Sequence, residues 1–224
     1  MAVLLLARGY PVSIDRLAQT LWGGSAPVTV RAQVHNSVAS VRRQLGIVEP
    51  YARALIERHG TGYAARTDPD QTDFTLFERQ VVRGSDLARD GRVEAAAEVL
   101  RAALRLWNGP ALDGLGDGFL HGEAEQLEKM RLACLERCIE CELALGRHHE
   151  LVAELARLVS AHPEREGLVE QHMLALHRSG MRQDALGAYA VARSWLAENL
   201  GLDPQPSLRK LHRAILRSDP NLLI

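Results

Sequence analysis

The spacing of apolar residues changes period twice along the chain. Residues 2–7 (AVLLLA) are apolar without a break, as at the end of a buried helix, and Gly9-Tyr10-Pro11 stops them. Ser13 is placed to cap a second helix with Ile14, Leu17 and Leu21 at i, i+3 and i+7, closed by Trp22-Gly23-Gly24. Pro27 and Thr29 open a third helix, in which Val30, Val34, Val38, Val41 and Leu45 form one apolar stripe and Gly46 is the expected stop. The period then falls to two: Ala54-Leu55-Ile56 and Tyr63-Ala64-Ala65 flank Gly60-Thr61-Gly62, which predicts a β-hairpin with a glycine-rich tip. After a polar, turn-rich stretch from Asp68 to Asp73, helical spacing returns over 74–90, 92–107, 122–145, 148–161, 164–179, 182–199 and 205–217.

The second helical region contains a loose repeat. Leu143-Ala144-Leu145 precedes Gly146, and Leu174-Ala175-Leu176 precedes Gly180; the two glycines are 34 positions apart, the tetratricopeptide period, while the triplets are 31 apart. Gly91 stands at a similar corner 55 positions before Gly146, so the NGPALDGLGDG loop carries an insertion between repeats. The pattern predicts three helix pairs and a capping helix. The expected fold is therefore mainly α. Residues 1–67 form a small helical head with a hairpin, 68–73 a linker, and 74–224 a tetratricopeptide-like α-helical repeat domain.

Charge separates the two regions. Residues 1–67 hold eight arginines against Asp15, Glu49 and Glu57, a net charge of +5, whereas the remainder holds 19 basic and 25 acidic side chains, a net charge of −6. A basic head on an acidic body points to a polyanionic partner for the head alone. The third helix has the faces that a DNA-reading helix needs, one for packing and one for bases. Beside the valine stripe, Gln33, Asn36 and Ser40 are candidates for base contacts. Arg31, Ser37, Arg42 and Arg43 are candidates for phosphate contacts, which position without specifying sequence. Arg58 and His59 stand at the tip of the hairpin, which acts as a wing toward the minor groove.

SIDRLAQTLWG, AQVHNSVASVRRQLG and RHGTGYAART resemble the last two-thirds of an OmpR-type winged helix. TDFTLFERQVVRG, LRLWNGPAL, LVSAHPEREGL and LGLDPQPSLRKLHRAIL resemble a bacterial transcriptional activation domain. Together they resemble the Streptomyces antibiotic regulatory protein family over nearly the whole chain. The resemblance implies a winged helix-turn-helix followed by the repeat domain. It implies an activator of a biosynthetic gene cluster in the bacterial cytoplasm, associated with the nucleoid. Its partners would be promoter direct repeats bound by side-by-side protomers, and RNA polymerase. The same residues carry over: Gln33, Asn36 and Ser40 to bases, and Ser37, Arg42 and Arg43 to phosphates. Two departures stand out. His59 occupies the place where such wings often carry Arg, with Arg58 beside it. The chain also begins inside the first helix, so either the start codon is misplaced or the chain is a natural truncation, and in the second case a truncated winged helix is expected. It would lack its front β-sheet, the wing strands would lose a partner sheet, and Val3 to Leu6 would lose cover. Such a head is marginal, because each exposed Val or Leu forfeits ~1.5–3 kcal/mol against ~5–15 kcal/mol for a whole domain.

Other chemistry is weaker. Cys134, Cys138 and Cys141 spell C-x3-C-x2-C, an iron–sulfur spacing, but at i, i+4 and i+7 they share one face of a helix with Leu127 and Met130 and read as core thiols. His148-His149-Glu150 lacks a third ligand in register. Asp113 and Asp117 match neither a calcium nor a phosphate loop, and Ser13, Ser25 and Ser37 lack a nucleophile elbow. No run reaches the ~18 apolar residues of a membrane span. The expectation is a regulator without a cofactor or enzymatic activity. The alternative is a repeat-based interaction protein whose truncated head no longer holds DNA.

Overall fold

The computed structural model describes the chain except residues 24, 26, 69–71, 116–118 and 224 and the side chains of Phe119 and Leu223. Gly24 and parts of the expected linker and of the loop through Asp117 thus lie outside the described residues. The elements, in order, are α1 (Ala2–Leu6), β1 (Val12–Ser13), α2 (Ile14–Trp22), α3 (Val30–Val48), a 3-10 turn (Pro50–Leu55), β2 (Ile56–His59) and β3 (Gly62–Ala65). They continue with α4 (Asp73–Arg89), α5 (Val93–Leu104), α6 (Phe119–Ala144), α7 (His148–Ala161), α8 (Glu166–Arg178), α9 (Arg182–Leu200), α10 (Pro206–Leu216) and a last 3-10 turn (Pro220–Leu223). The mainly α reading holds. No helix among the described residues is long and apolar enough to cross a membrane.

Packing divides the chain into two compact units that are not contiguous in sequence. One is residues 1–80 with 103–132; the other is 81–102 with 133–224. The sequence places its boundary at 68–73, whereas α4 and α6 each begin in the first unit and end in the second.

In the first unit, Ser13 caps α2 by accepting from the backbone N–H of Arg16 at 3.2 Å. The buried face of α2 is Ile14, Leu17 and Ala18; Leu21, expected there, is 55% exposed. Helix α3 buries Val34 and Val38 and runs through Gly46 to Val48. Gly46 is not a stop. A Cβ there would lie 1.9 Å from the Arg53 side chain, so the glycine gives room to a neighbour within a continuing helix. The hairpin is present with its strands shifted toward the tip: Ile56 pairs with Ala65 and His59 with Gly62, leaving Gly60-Thr61 as the turn. Ala54 and Leu55 belong to the 3-10 turn instead.

Two expectations about the front of the chain are corrected. The wing has a sheet partner: β1 pairs antiparallel with β3, Val12 opposite Tyr63, in the order β1-β3-β2. Gly62 makes this possible, since a Cβ there would sit 2.3 Å from the Val12 carbonyl oxygen. Val3 and Leu4 also keep their cover, at 9% and 3% exposure. They join one core with Leu17, Val34, Ile56, Tyr63 and Leu120, and Leu112 packs against it. Helix α1 packs on β3, and the same core takes in Leu120, from more than a hundred residues later.

In the second unit the helical repeat is visible as corners. Gly91, Gly146 and Gly180 all take left-handed φ values, +75°, +81° and +80°, which end one helix and turn into the next. Val169, Met173, Leu176, Ala185, Leu208 and Ile215 form the core of α8 to α10. Arg101 of α5 forks both ways: Nε and Nη2 donate to Glu142 of α6 at 3.0 and 2.6 Å, and Nη1 and Nη2 donate to Glu154 of α7 at 2.9 and 2.7 Å. The three cysteines face inward. Cys134 and Cys138 donate from Sγ to the carbonyls of Leu100 and Ala97, and burial pushes both thiols up to about 12. At ordinary pH they are protonated core groups, not thiolate ligands.

Helix α8 buries His177, and His148 of α7 and His172 of α8 are half-buried, each with at least one ring nitrogen that meets no hydrogen-bond partner among the described residues. His177 is 8% exposed, and neither ring nitrogen meets a partner among the described residues; Nδ1 of His148 and of His172 is in the same position. Burial lowers the pKa of all three, with nearby Arg182 and Arg178 adding to the effect at His177, and Arg178 and His149 at His148. The unfolded chain takes up these protons below about pH 6.5, while the folded chain resists until lower pH. It follows that stability is full above that value and is lost as the pH falls below it. Urea midpoints should drop between pH 7 and pH 5, and replacing His177 with Phe should reduce that drop.

Candidate nucleic-acid interface

One turn of α3 advances about 3.6 residues, so each residue is rotated about 100° from the last. Asn36, Ser40 and Arg43 therefore share a stripe, and all three are exposed; Gln33, half-buried, starts it and donates from Nε2 to Thr29 Oγ1 at 3.3 Å. Ser37 is exposed beside them. Arg31, also exposed, lies on another side of the helix, 3.7 Å from Asp15 of α2. Such a solvent-exposed pair is worth little and leaves the guanidinium available to a stronger anion.

Arg42 is placed differently from the other candidates. It is half-buried, its Nε and Nη2 donate to the Ile56 carbonyl of the wing at 3.2 and 2.6 Å, and its guanidinium lies over the Tyr63 ring, 5.7 Å from the centroid. At the wing, Arg58 and His59 are exposed, as a tip requires. Glu57 holds Arg66 Nε at 2.8 Å and has His59 Nε2 within 3.4 Å, so one acid sits inside the basic wing.

Two residues outside the sequence-derived set complete the geometry. Tyr63, 4% exposed, occupies the centre of the small sheet, opposite Val12 on one side and Arg58 on the other. Its hydroxyl shares a hydrogen bond with His35 Nδ1, and the two rings meet edge to face at 5.8 Å and 73°. His35 belongs to neither the valine stripe nor the base-reading stripe. Its signal is that Arg42 lies seven residues on, back on the same side of the helix.

Residues 72–216 match the bacterial transcriptional activator domain family. The chain is 35% identical to the regulatory protein DnrI of Streptomyces peucetius, over 99% of this chain and 84% of that one. The chain belongs to the Streptomyces antibiotic regulatory protein family. It is, accordingly, a transcriptional regulator of that type, and the family is not enzymatic. A second member of this regulatory family, RedD of Streptomyces coelicolor, is 35% identical over 100% of this chain and 65% of its own length. The solved structure of Mycobacterium tuberculosis EmbR in complex with a low affinity phosphopeptide superposes with a TM-score of 0.92 at 36% identity, covering 98% of this chain and 58% of that one. The fold described above is thus the family's fold, and the phosphopeptide is a ligand of EmbR.

Proposed function

We propose that this regulator activates a biosynthetic gene cluster. In this reading residues 1–67 bind direct repeats in promoter DNA as side-by-side protomers, and residues 74–224 recruit RNA polymerase. Base reading falls to Gln33, Asn36 and Ser40 of α3, and phosphate contacts to Arg31, Ser37 and Arg43, with Arg58 and His59 on the wing. The observation that carries this is the exposed stripe of Asn36, Ser40 and Arg43 beside a basic hairpin, in residues 1–67, which carry a net charge of +5. Amide and hydroxyl groups on such a stripe match the donor and acceptor pattern of base edges in the major groove.

Fluorescence anisotropy with a labelled duplex from the promoter region beside its own gene, taken through a salt series, tests this. Asn36→Ala should cost ~1–3 kcal/mol on that duplex and relax selection at one base pair. Arg43→Ala should weaken specific and random duplexes alike and reduce the salt slope by about one unit. Equal losses on both duplexes for Asn36→Ala would remove it from the base-reading set. If the unaltered chain bound neither duplex, the alternative of a repeat-based interaction protein would replace this reading.

A further inference from the structure

From Tyr63, His35 and Arg42 we infer that the wing is gripped to α3 at two points, and that these are positioning residues which make the helix and the wing engage DNA as one body. The inference rests on the DNA-binding reading above and assigns Arg42 a role different from the phosphate contact that its sequence position suggests.

The first point of attachment is the hydrogen bond between the Tyr63 hydroxyl and His35 Nδ1. The second is Arg42, whose guanidinium covers the same tyrosine ring and donates twice to the Ile56 carbonyl. His35 and Arg42 are seven residues apart, two turns and about 10.5 Å along the helix. The hairpin and α3 already share a core through Ile56, Tyr63, Val34 and Val38, and the polar contacts add direction to that packing. Two contacts at that separation fix its angle as well as its distance. Tyr63 is suited to join them because β1 and β2 flank it in the sheet, so it is held from both sides.

The grip and the reading stripe run side by side. Asn36 follows His35 and Arg43 follows Arg42, so a rotation of α3 that moves one set moves the other. A guanidinium that donates to the protein's own carbonyl contributes to affinity by preorganisation, since the wing need not be ordered when DNA arrives. It does so without releasing a counterion from the DNA.

Salt dependence separates these roles. The experiment uses the full chain, the same promoter duplex and a random duplex, with Arg42→Met, which keeps the stem, and Tyr63→Phe, which keeps the ring and loses only the hydroxyl. Circular dichroism confirms folding of each. Both variants should lose about tenfold in specific affinity, as expected when a preorganised contact must be re-ordered on binding. Their salt slope should match the unaltered chain. Hydroxyl-radical protection at the wing's phosphates should fade, while guanine-methylation interference under α3 persists. Arg42→Lys, which keeps a donor, should recover part of the loss. A salt slope lower by about one unit in Arg42→Met would mark a direct phosphate contact and overturn the inference. Unchanged affinity and footprint in Tyr63→Phe would overturn it as well, and that variant serves if Arg42→Met does not fold. Absence of specific binding by the unaltered chain would overturn the underlying reading and this one together, a result distinct from binding that the variants leave unaltered.

Discussion

Arg101→Ala will lower the unfolding free energy of the helical repeat unit by about 3–5 kcal/mol, the usual cost of removing one member of a buried ion pair. The size follows from what is left behind. The Glu142 side chain is 8% exposed, and without Arg101 its nearest cation is Arg147 at 3.8 Å. Glu154 is 30% exposed and recovers part of its hydration. In the intact protein the hydrogen bonds to Glu154 and then Glu142 raise the guanidinium pKa above its ordinary value, so the charge is permanent. Lysine will not substitute, because a point charge cannot fork to two carboxylates as the planar group does. Converting the triad to Met and two Leu should restore most of the loss, since desolvation of the charges offsets much of their attraction. Urea titration followed by circular dichroism measures all three, and a loss below about 1 kcal/mol for Arg101→Ala, the level of an exposed pair, would show that the network adds nothing to stability.

Residues 1–67 expressed alone will not melt cooperatively. Their core takes in Leu120, and Leu112 packs against it, so the fragment loses two apolar side chains from that core. Two such side chains are worth about 3–6 kcal/mol, comparable to the whole stability of ~3–10 kcal/mol expected for a domain of this length. Leu120→Ala in the full chain makes the same test by a milder route, with an expected cost of about 2–5 kcal/mol. A sigmoidal thermal transition in the fragment, at the midpoint seen for the full chain, would mean that the later segment contributes no cover.

The helices of the repeat region were legible because each carries apolar residues at helical spacing between glycine or proline breakers; the expected 182–199 differs from the observed Arg182–Leu200 by one residue. What escaped the sequence is non-local. Strand β1 is two residues, Val12 and Ser13, too short for any alternation, and Ser13 carried a stronger signal as a helix cap. Gly46 looked like a stop because glycine usually is one, and only the approach of Arg53 from the following turn explains it. Leu120 joins the core that holds Val3 and Leu4, and Leu112 packs against it, links that no local pattern makes with position 4. In the interface, the exposed stripe of α3 followed from helical geometry alone. Composition reports the charge of Arg42 and not its direction, so the sequence does not show that its guanidinium meets the Ile56 carbonyl, and the pattern around Tyr63 signals an apolar strand residue and not its hydrogen bond to His35.

The interleaving of the first unit bears on how such regulators exchange parts. The polar stretch at 68–73 invites genetic recombination, since a crossover there keeps every helix intact. Yet a hybrid made at that point would join the head of one protein to residues 103–132 of another, and the core that holds Leu4 would receive a foreign residue where Leu120 now stands. Heads transplanted with their own 103–132 segment should outlive those moved alone. Lineages that traded heads at the linker would bear compensating changes at positions 112 and 120, far from the join.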